Sequence, residues 1–281
     1  MSTIIFSKKY AKRHSAWAVL SLYCVLVVST VGCSSVEMPV ANSRSPSSQF
    51  ATTRTDSAAE SSRLSAAYLA ATENPVRTVE DRRSDASRKP VEFLKFAGVT
   101  PSMKILDIAA SGGNTSQLMA LVVGEGGMVY AQGPQIRPAL QRRLNDRPQQ
   151  NLRPLASPFD TPVSPDMPKL DLITINLNYH DIANLPVDRI KMNRALYDAL
   201  KAGGHVVVID HTAAPGSGAK DTSTLHRIDE KLVQAEFERV GFLLEESGTY
   251  LRNPADTHEA KSSSMEGSTD KFALRFVRPG L

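Results

Sequence analysis

The stretch LDIAASGGNTS, residues 106–116, decides the fold of this 281-residue chain. An apolar run reaches Asp107 and continues into a loop of small residues and then into the start of a helix. This order is typical of the strand, loop and helix that open a nucleotide-cofactor site, where glycines let the backbone approach the ligand. Ala109 and Ser111 stand at two positions where such a loop usually carries glycine. The stretch therefore predicts a cofactor loop that is altered but retained.

Strand-like and helix-like segments alternate on both sides of this loop. The apolar runs KILDIA, MVYAQ, LDLITINL and HVVVIDH are separated by segments with helical character, and a weak strand lies near residues 152–155. Such alternation predicts a mostly parallel sheet covered by helices on both faces. The runs FLLEESGTYLR and KFALRFVRP follow the last helix, and the polar segment 253–270 between them favours antiparallel pairing.

Polar residues follow two strands that we expect to be neighbours. The fourth strand is followed by Asn176, Asn178, Tyr179, His180 and Asp181, and the fifth ends in Asp210 and His211. Ligands bind outside the carboxyl ends of parallel strands, where these groups would meet. A histidine takes up a proton near neutral pH, and a carboxylate fixes its tautomer. We expect His180, and secondarily His211, to act on a substrate; the alternative is that both hydrogen-bond loop backbone.

A family resemblance rests on the segments MKILDIAASGG and LKAGGHVVVID, a helix ending in VGF, and two closing strands. Over residues 83–279 these resemble the class I S-adenosylmethionine-dependent methyltransferases. The segments NYHD, PGSG, LHRIDE and YLRNPAD further resemble a group of bacterial predicted methyltransferases. The resemblance implies an α/β, Rossmann-like methyltransferase fold, with a mostly parallel seven-stranded sheet and an antiparallel C-terminal hairpin.

The resemblance also implies the site. S-adenosylmethionine would bind, weakly because the glycine loop is altered, at Asp107, Ala109, Ser111, Gly113, Gln132 and Asn178. The family usually holds the ribose with an acidic residue after the second strand, whereas Gln132 offers an amide that can accept one such hydrogen bond. Tyr179, His180 and Asp181 occupy the family's catalytic or substrate-orienting position, and the acceptor is expected to be a small molecule.

The first 82 residues differ in composition from the rest. Four basic residues precede an uncharged apolar run over residues 16–32, which ends in TVGCSS. This order resembles the lipobox of bacterial lipoproteins and implies a signal peptide over 1–32 and a lipid on Cys33. An uncleaved membrane anchor or a simple secretory signal is the alternative. Richness in Ser, Ala and Thr predicts a flexible tether over 33–82, which leaves the methyltransferase-like domain at 83–281.

Cleavage before Cys33 would change the charge and the cysteine content of the mature chain, and both limit the kinds of partner it could bind. The formal charge of +4 includes the four basic residues of the signal, so the mature chain is close to neutral and has no basic surface for nucleic acid. Its only cysteine would carry lipid, which excludes disulfides, thiol catalysis and cysteine-based metal sites. The predicted partners are a small-molecule substrate and, through the lipid, a membrane. Ser34 suggests sorting to the outer membrane, with the domain facing the periplasm.

Two further functions stay open. A domain facing outward lies away from cytoplasmic S-adenosylmethionine, which favours a non-catalytic lipoprotein that uses the fold as a binding module. A metal-assisted enzyme could use His180, Asp181, Asp210 and His211, which supply imidazole and oxygen ligands. Because the spacing of these four residues is not diagnostic, we assign no metal ligand from the sequence.

Overall fold

The computed structural model describes the backbone of residues 47–265 and 268–280, and the side chains from residue 58 onward in those ranges. The predicted signal peptide, Cys33 and the first part of the predicted tether lie outside them. None of the helices in these ranges is both long enough and apolar enough to span a bilayer.

A seven-stranded sheet forms the centre of the fold, with the strand order β3-β2-β1-β4-β5-β7-β6. Strands β1 to β5 are parallel, and β7 pairs antiparallel with both β5 and β6. The strands are β1 (Lys104–Ile108), β2 (Met128–Gly133), β3 (Leu152–Ala156), β4 (Leu170–Asn176), β5 (Leu200–His211), β6 (Leu243–Gly248) and β7 (Lys271–Val277). The predicted fold class and the antiparallel C-terminal pair are confirmed.

Helices cover the sheet and connect its parallel strands. They are α1 (Ser47–Glu73), α2 (Val79–Arg83), α3 (Asp85–Arg88), α4 (Pro90–Ala97), α5 (Asn114–Val123), α6 (Pro138–Asp146), α7 (Tyr179–Ala183), α8 (Arg189–Ala199) and α9 (Glu230–Glu238), with a 3₁₀ turn at Ser262–Ser264. Successive strand residues point to opposite faces. Ile105 accordingly joins a core with α1, α4 and α5, and Leu106 joins a second core with α7, α8 and α9.

Helix α1 corrects the predicted start of the domain at residue 83. Tyr68 and Ala71 of α1 are buried in the first core, and the Tyr68 hydroxyl donates a hydrogen bond to the carbonyl of Val99 at 2.8 Å. Further along the predicted tether, Arg77 is buried and its guanidinium pairs with Asp85 at 2.6 Å. The segment 58–82 therefore belongs to the folded domain, because a few apolar side chains and a buried ion pair fasten it there.

Candidate functional site

Asp107 lies near the end of β1, beneath the loop that follows. The strand register places Thr174 of β4 beside it, and the Thr174 hydroxyl donates to its carboxylate at 2.8 Å. The Ser116 hydroxyl of α5 donates to the other carboxylate oxygen at 2.5 Å. Burial raises the pKa of Asp107 to about 6, and these two hydrogen bonds and the charge of Arg88 offset burial only in part. Asp107 is therefore a carboxylate that titrates close to neutral pH.

The loop after β1 keeps a glycine-type backbone without the glycines. Ala109 has a φ of 54° and Ser111 a φ of 52°, both in the left-handed region. A residue with a Cβ pays about 1–2 kcal/mol in this conformation. Hydrogen bonds hold the loop in this shape. The amide of Ala109 donates to the Gln132 side chain, the amide of Ala110 donates to the Gln132 carbonyl, and the Ser111 hydroxyl donates to the Ala109 carbonyl at 3.2 Å. Strain of this kind is concentrated at functional sites.

Gly113 serves helix packing rather than the cofactor contact predicted for it. It caps the start of α5 with a φ of 78°. A Cβ on Gly113 would lie 2.7 Å from the Leu140 side chain and 3.4 Å from that of Arg143. The cavities beside the loop are lined by its neighbours Ser111 and Gly112, and not by Gly113. A Cβ here would require the Leu140 side chain of α6 to shift.

Two cavities adjoin at the loop, and Ala109, Ser111 and Asn178 line both. The first cavity has a volume of about 500 Å³ and a partly apolar wall. Its other lining residues are Gln132, Gly133, Pro134, Gln135, Arg137, Leu140, Phe159, Asp181, Ile182, Asn184 and Leu185. The second cavity has about 290 Å³ and a charged wall, with Asp81, Arg88, Asp107, Ala110, Gly112, Asn114, Thr115, Arg143, Asn176 and Leu177.

Gln132 lies where the sequence predicts a ribose contact, but its side chain already has partners. It is buried, and its amide nitrogen donates to the Ser157 carbonyl at 2.7 Å. Its amide oxygen accepts the Ala109 amide at 3.3 Å. Gln132 thus ties the loop after β1 to the end of β3. It borders the first cavity, and only a free lone pair on its oxygen is left for a ligand.

Arg88 is a site residue that sequence reasoning missed. It ends α3, lines the second cavity, and its charge lowers the pKa of Asp107 against the stronger effect of burial. No side-chain hydrogen bond joins Arg88 to another residue in the described part of the chain, whereas the nearby Arg143 is paired with Asp81 at 2.7 Å. The sequence RRSDASRK contains several arginines and gives no signal that separates Arg88 from the others.

His180 is held by the carboxylate at the end of β5. Its Nδ1 lies 2.6 Å from the Asp210 Oδ1, and its backbone amide donates to the Asp210 Oδ2 at 2.8 Å. Burial alone would lower the pKa of His180, but the hydrogen bond and charge of Asp210 and the charge of Asp181 outweigh it and raise that pKa. The free Nε2 faces Asp181 at 3.3 Å. Asp181 lines the first cavity, and His180 lies behind it.

The structure does not support the catalytic role predicted for Tyr179. Its side chain is fully buried in the second core, where its hydroxyl donates to Glu236 at 2.7 Å and accepts from Asn193 at 2.9 Å. The first turn of α7 thus turns the Tyr179 ring into the core and His180 and Asp181 towards the loops. Tyr179 lines neither cavity.

His211 is close to His180 but is directed elsewhere. Its Nδ1 lies 2.7 Å from the Thr269 hydroxyl, and burial lowers its pKa to about 4. The histidine that shares Asp181 with His180 is instead His226, whose Nδ1 lies 3.6 Å from the Asp181 Oδ1. Nothing in the sequence indicates that His226 lies near Asp181, 45 positions earlier, because His226 flanks a predicted helix. Of the four residues considered as metal ligands from the sequence, His180 and Asp181 lie in one cluster with His226, and Asp210 and His211 are not part of that cluster.

Comparison with known proteins identifies the fold. No family model matches the chain, and no curated protein matches it. A SAM dependent methyltransferase from Aquifex aeolicus is similar in structure, with 18% identity over 69% of this chain and 91% of that chain and a TM-score of 0.51. A putative sarcosine dimethylglycine methyltransferase from Galdieria sulphuraria has 15% identity over 74% and 91%, with a TM-score of 0.52. The chain therefore has the Rossmann-like methyltransferase fold.

Proposed function

We propose that this chain is an S-adenosylmethionine-dependent methyltransferase acting on a small molecule. The observation that carries the proposal is the pair of adjoining cavities around the strained loop after β1, one with a partly apolar wall and the other charged. S-adenosylmethionine has a matching division of polarity, because its adenosine half carries an aromatic base and its amino-acid half is zwitterionic. In this fold, ligands bind at the carboxyl ends of the strands, where both cavities lie.

The first cavity suits the adenosine half. Leu140, Phe159, Ile182 and Leu185 supply apolar surface for a base. The second cavity suits the amino-acid half, because Arg88 and Asp107 offer opposite charges to a carboxylate and an ammonium group. Asp81 and Arg143 in the same wall are already paired with each other.

The acceptor would enter beside Asp181. His180, oriented by Asp210, has its Nε2 on the side of Asp181, and the predicted role of His180 is to take up the acceptor's proton. This role stays a prediction, since Asp181 rather than His180 forms the cavity wall. We propose a small molecule as the acceptor, as the family resemblance implies.

A non-catalytic binding module is the second candidate. The amide of Gln132 is committed to Ser157 and Ala109, and the loop carries Cβ atoms where glycine would leave room. Both features weaken the contacts that a cofactor would make. This candidate predicts a ligand in the cavity without turnover of S-adenosylmethionine.

We further propose that a lipid on Cys33 anchors the domain in the cell envelope. Cys33 lies outside the described residues. This proposal rests on the apolar run 16–32 followed by TVGCSS, and Ser34 favours the outer membrane. Mass spectrometry of the native protein should find an acylated Cys33 at the mature N-terminus. A mature chain that retains Trp17 would contradict the anchor and leave the methyltransferase proposal untouched.

Formation of S-adenosylhomocysteine from S-adenosylmethionine and pooled small-molecule extracts tests the activity. His180→Asn should fold and bind cofactor, and turnover should fall by about 10²–10⁴-fold if His180 is a general base. His205→Asn is the matched control, because His205 also faces a carboxylate, Glu245 at 3.1 Å, but lies away from both cavities. Equal rates for wild type and His180→Asn would remove His180 from the mechanism. No turnover in any extract would favour the binding module.

A further inference from the structure

We propose that His180, Asp181 and His226 bind a divalent transition-metal ion at the edge of the first cavity. One potential ligand atom from each residue lies within 4.8 Å of the other two. The proposal concerns ion binding and does not depend on the methyltransferase function.

The distances suit a shared ion. The Asp181 Oδ1 lies 3.3 Å from His180 Nε2 and 3.6 Å from His226 Nδ1. Ligands held about 2.0–2.2 Å from one ion in tetrahedral geometry lie about 3.3–3.6 Å apart. The two imidazole rings meet edge to face, with centroids 5.5 Å apart and planes at 83°. All three potential ligand atoms lie within 4.8 Å of one another.

Asp210 gives His180 the tautomer that an ion requires. Metal-bound histidines usually donate their second ring N–H to a carboxylate, which fixes the ring. The Nδ1 of His180 lies 2.6 Å from the fully buried Asp210, so a proton on Nδ1 leaves the Nε2 lone pair facing Asp181. His180 and Asp210 are therefore arranged like a metal-binding histidine and the carboxylate that orients its ring.

The backbone around His226 is anchored to present this residue. His226 has a φ of 53°, a strained value for a residue with a side chain. The next residue, Arg227, is fully buried, pairs with Asp256 at 2.9 Å and donates to the Thr212 carbonyl at 3.0 Å. These contacts fix the segment against the end of β5 and hold His226 opposite His180.

Two imidazoles and one carboxylate suit zinc, iron, cobalt, nickel or manganese in the divalent state. Three protein ligands leave at least one coordination position open. Asp181, whose side chain is 54% exposed, lines the first cavity, so the open position would face it. An ion bound to Nε2 would occupy the lone pair that a general base needs, so this metal site and the general-base role proposed for His180 exclude each other. The metal site is therefore tested by binding and not by activity.

The test is a Co²⁺ titration of the full-length chain, stripped with a chelator and free of S-adenosylmethionine, followed by visible absorption and by competition with Zn²⁺. Wild type should bind a single ion through nitrogen and oxygen ligands. His226→Asn and Asp181→Ala should each lower the affinity for Co²⁺ by about 10–100-fold or more. Mutation of a residue that only hydrogen-bonds to a metal ligand already costs about 10–100-fold. Asparagine tolerates the positive φ of position 226, and Asp181 is exposed, so both variants should fold.

His205→Asn is the control and should bind Co²⁺ as wild type does, because His205 lies outside the cluster. Failure of wild type to bind Co²⁺ saturably would overturn the proposal. Equal affinity in wild type and His226→Asn would overturn it too, since the ion would then be bound elsewhere. Neither result bears on S-adenosylmethionine binding, which is measured separately without metal.

Discussion

Ala109 and Ser111 adopt a left-handed backbone conformation that glycine adopts freely, and this conformation costs each of them about 1–2 kcal/mol of conformational free energy. The sequence indicated that these positions had lost their glycines, but only the structure shows that the backbone kept its φ. The strain at both positions thus belongs to the fold of the loop itself. Gly113 in the same loop could not be separated from them by sequence, because its reason to be glycine is the distant Leu140.

Gly113→Ala should lower the free energy of unfolding by more than the penalty that alanine incurs at a left-handed φ. The added Cβ would lie 2.7 Å from Leu140, and such overpacking costs about 1–3 kcal/mol beyond the left-handed backbone penalty. Gly98→Ala is the control, since Gly98 has a φ of 64° and open space where its Cβ would be. Urea unfolding should show the larger loss for Gly113→Ala. Equal losses would mean that Leu140 moves aside freely.

Asp107 should make stability depend on pH. Its pKa is raised by burial from 3.8 to about 6, so its contribution to stability is fully present below pH 3.8 and is lost as the pH rises through about 6. Asp107→Asn keeps the shape and does not titrate. The unfolding temperature of the variant minus that of wild type should therefore increase between pH 4 and pH 7. A constant difference across this range would contradict a buried, titrating carboxylate.

Helix α1 shows which elements the sequence could predict. Most of the parallel strands could be predicted because they are apolar runs between turn residues, and their parallel arrangement follows from the alternation with helices. Over residues 58–73, where its side chains are described, helix α1 has no continuous apolar stripe, and Leu64, Tyr68 and Ala71 are its residues that pack on the first core. A helix stabilised by so few contacts looks like a polar linker in sequence, which is why residues 58–82 were assigned to a tether. His226 was missed for a similar reason, since the fold alone brings it to Asp181.

Tyr68→Ala should destabilise the whole domain if α1 belongs to it. Loss of a buried aromatic side chain costs about 3–5 kcal/mol, and the hydrogen bond to Val99 is lost as well. Leu69→Ala is the control on the same helix, because Leu69 is 52% exposed. Thermal unfolding should occur at a clearly lower temperature for Tyr68→Ala only. Unchanged stability of both variants would restore the tether boundary at residue 83.

The described residues combine the Rossmann-like methyltransferase fold with two adjoining cavities and a polar cluster at the edge of one of them. The fold and the strand-end location of the site were predictable, because parallel strands bring their carboxyl ends together. The charged partner Arg88 was not, since it comes from a short helix before the first strand. Its place opposite Asp107 makes a specific prediction for the cofactor.

Calorimetric titration of the full-length chain with S-adenosylmethionine and with adenosine shows whether the two cavities together bind the cofactor. Wild type should bind both. Arg88→Gln should lose affinity for S-adenosylmethionine by about 10–150-fold, the equivalent of about 1.5–3 kcal/mol for a hydrogen bond to a charged group, and keep its affinity for adenosine. Arg83→Gln, an exposed neighbour on α2, should behave as wild type. Absence of S-adenosylmethionine binding by wild type would contradict the proposed function, whatever the fold.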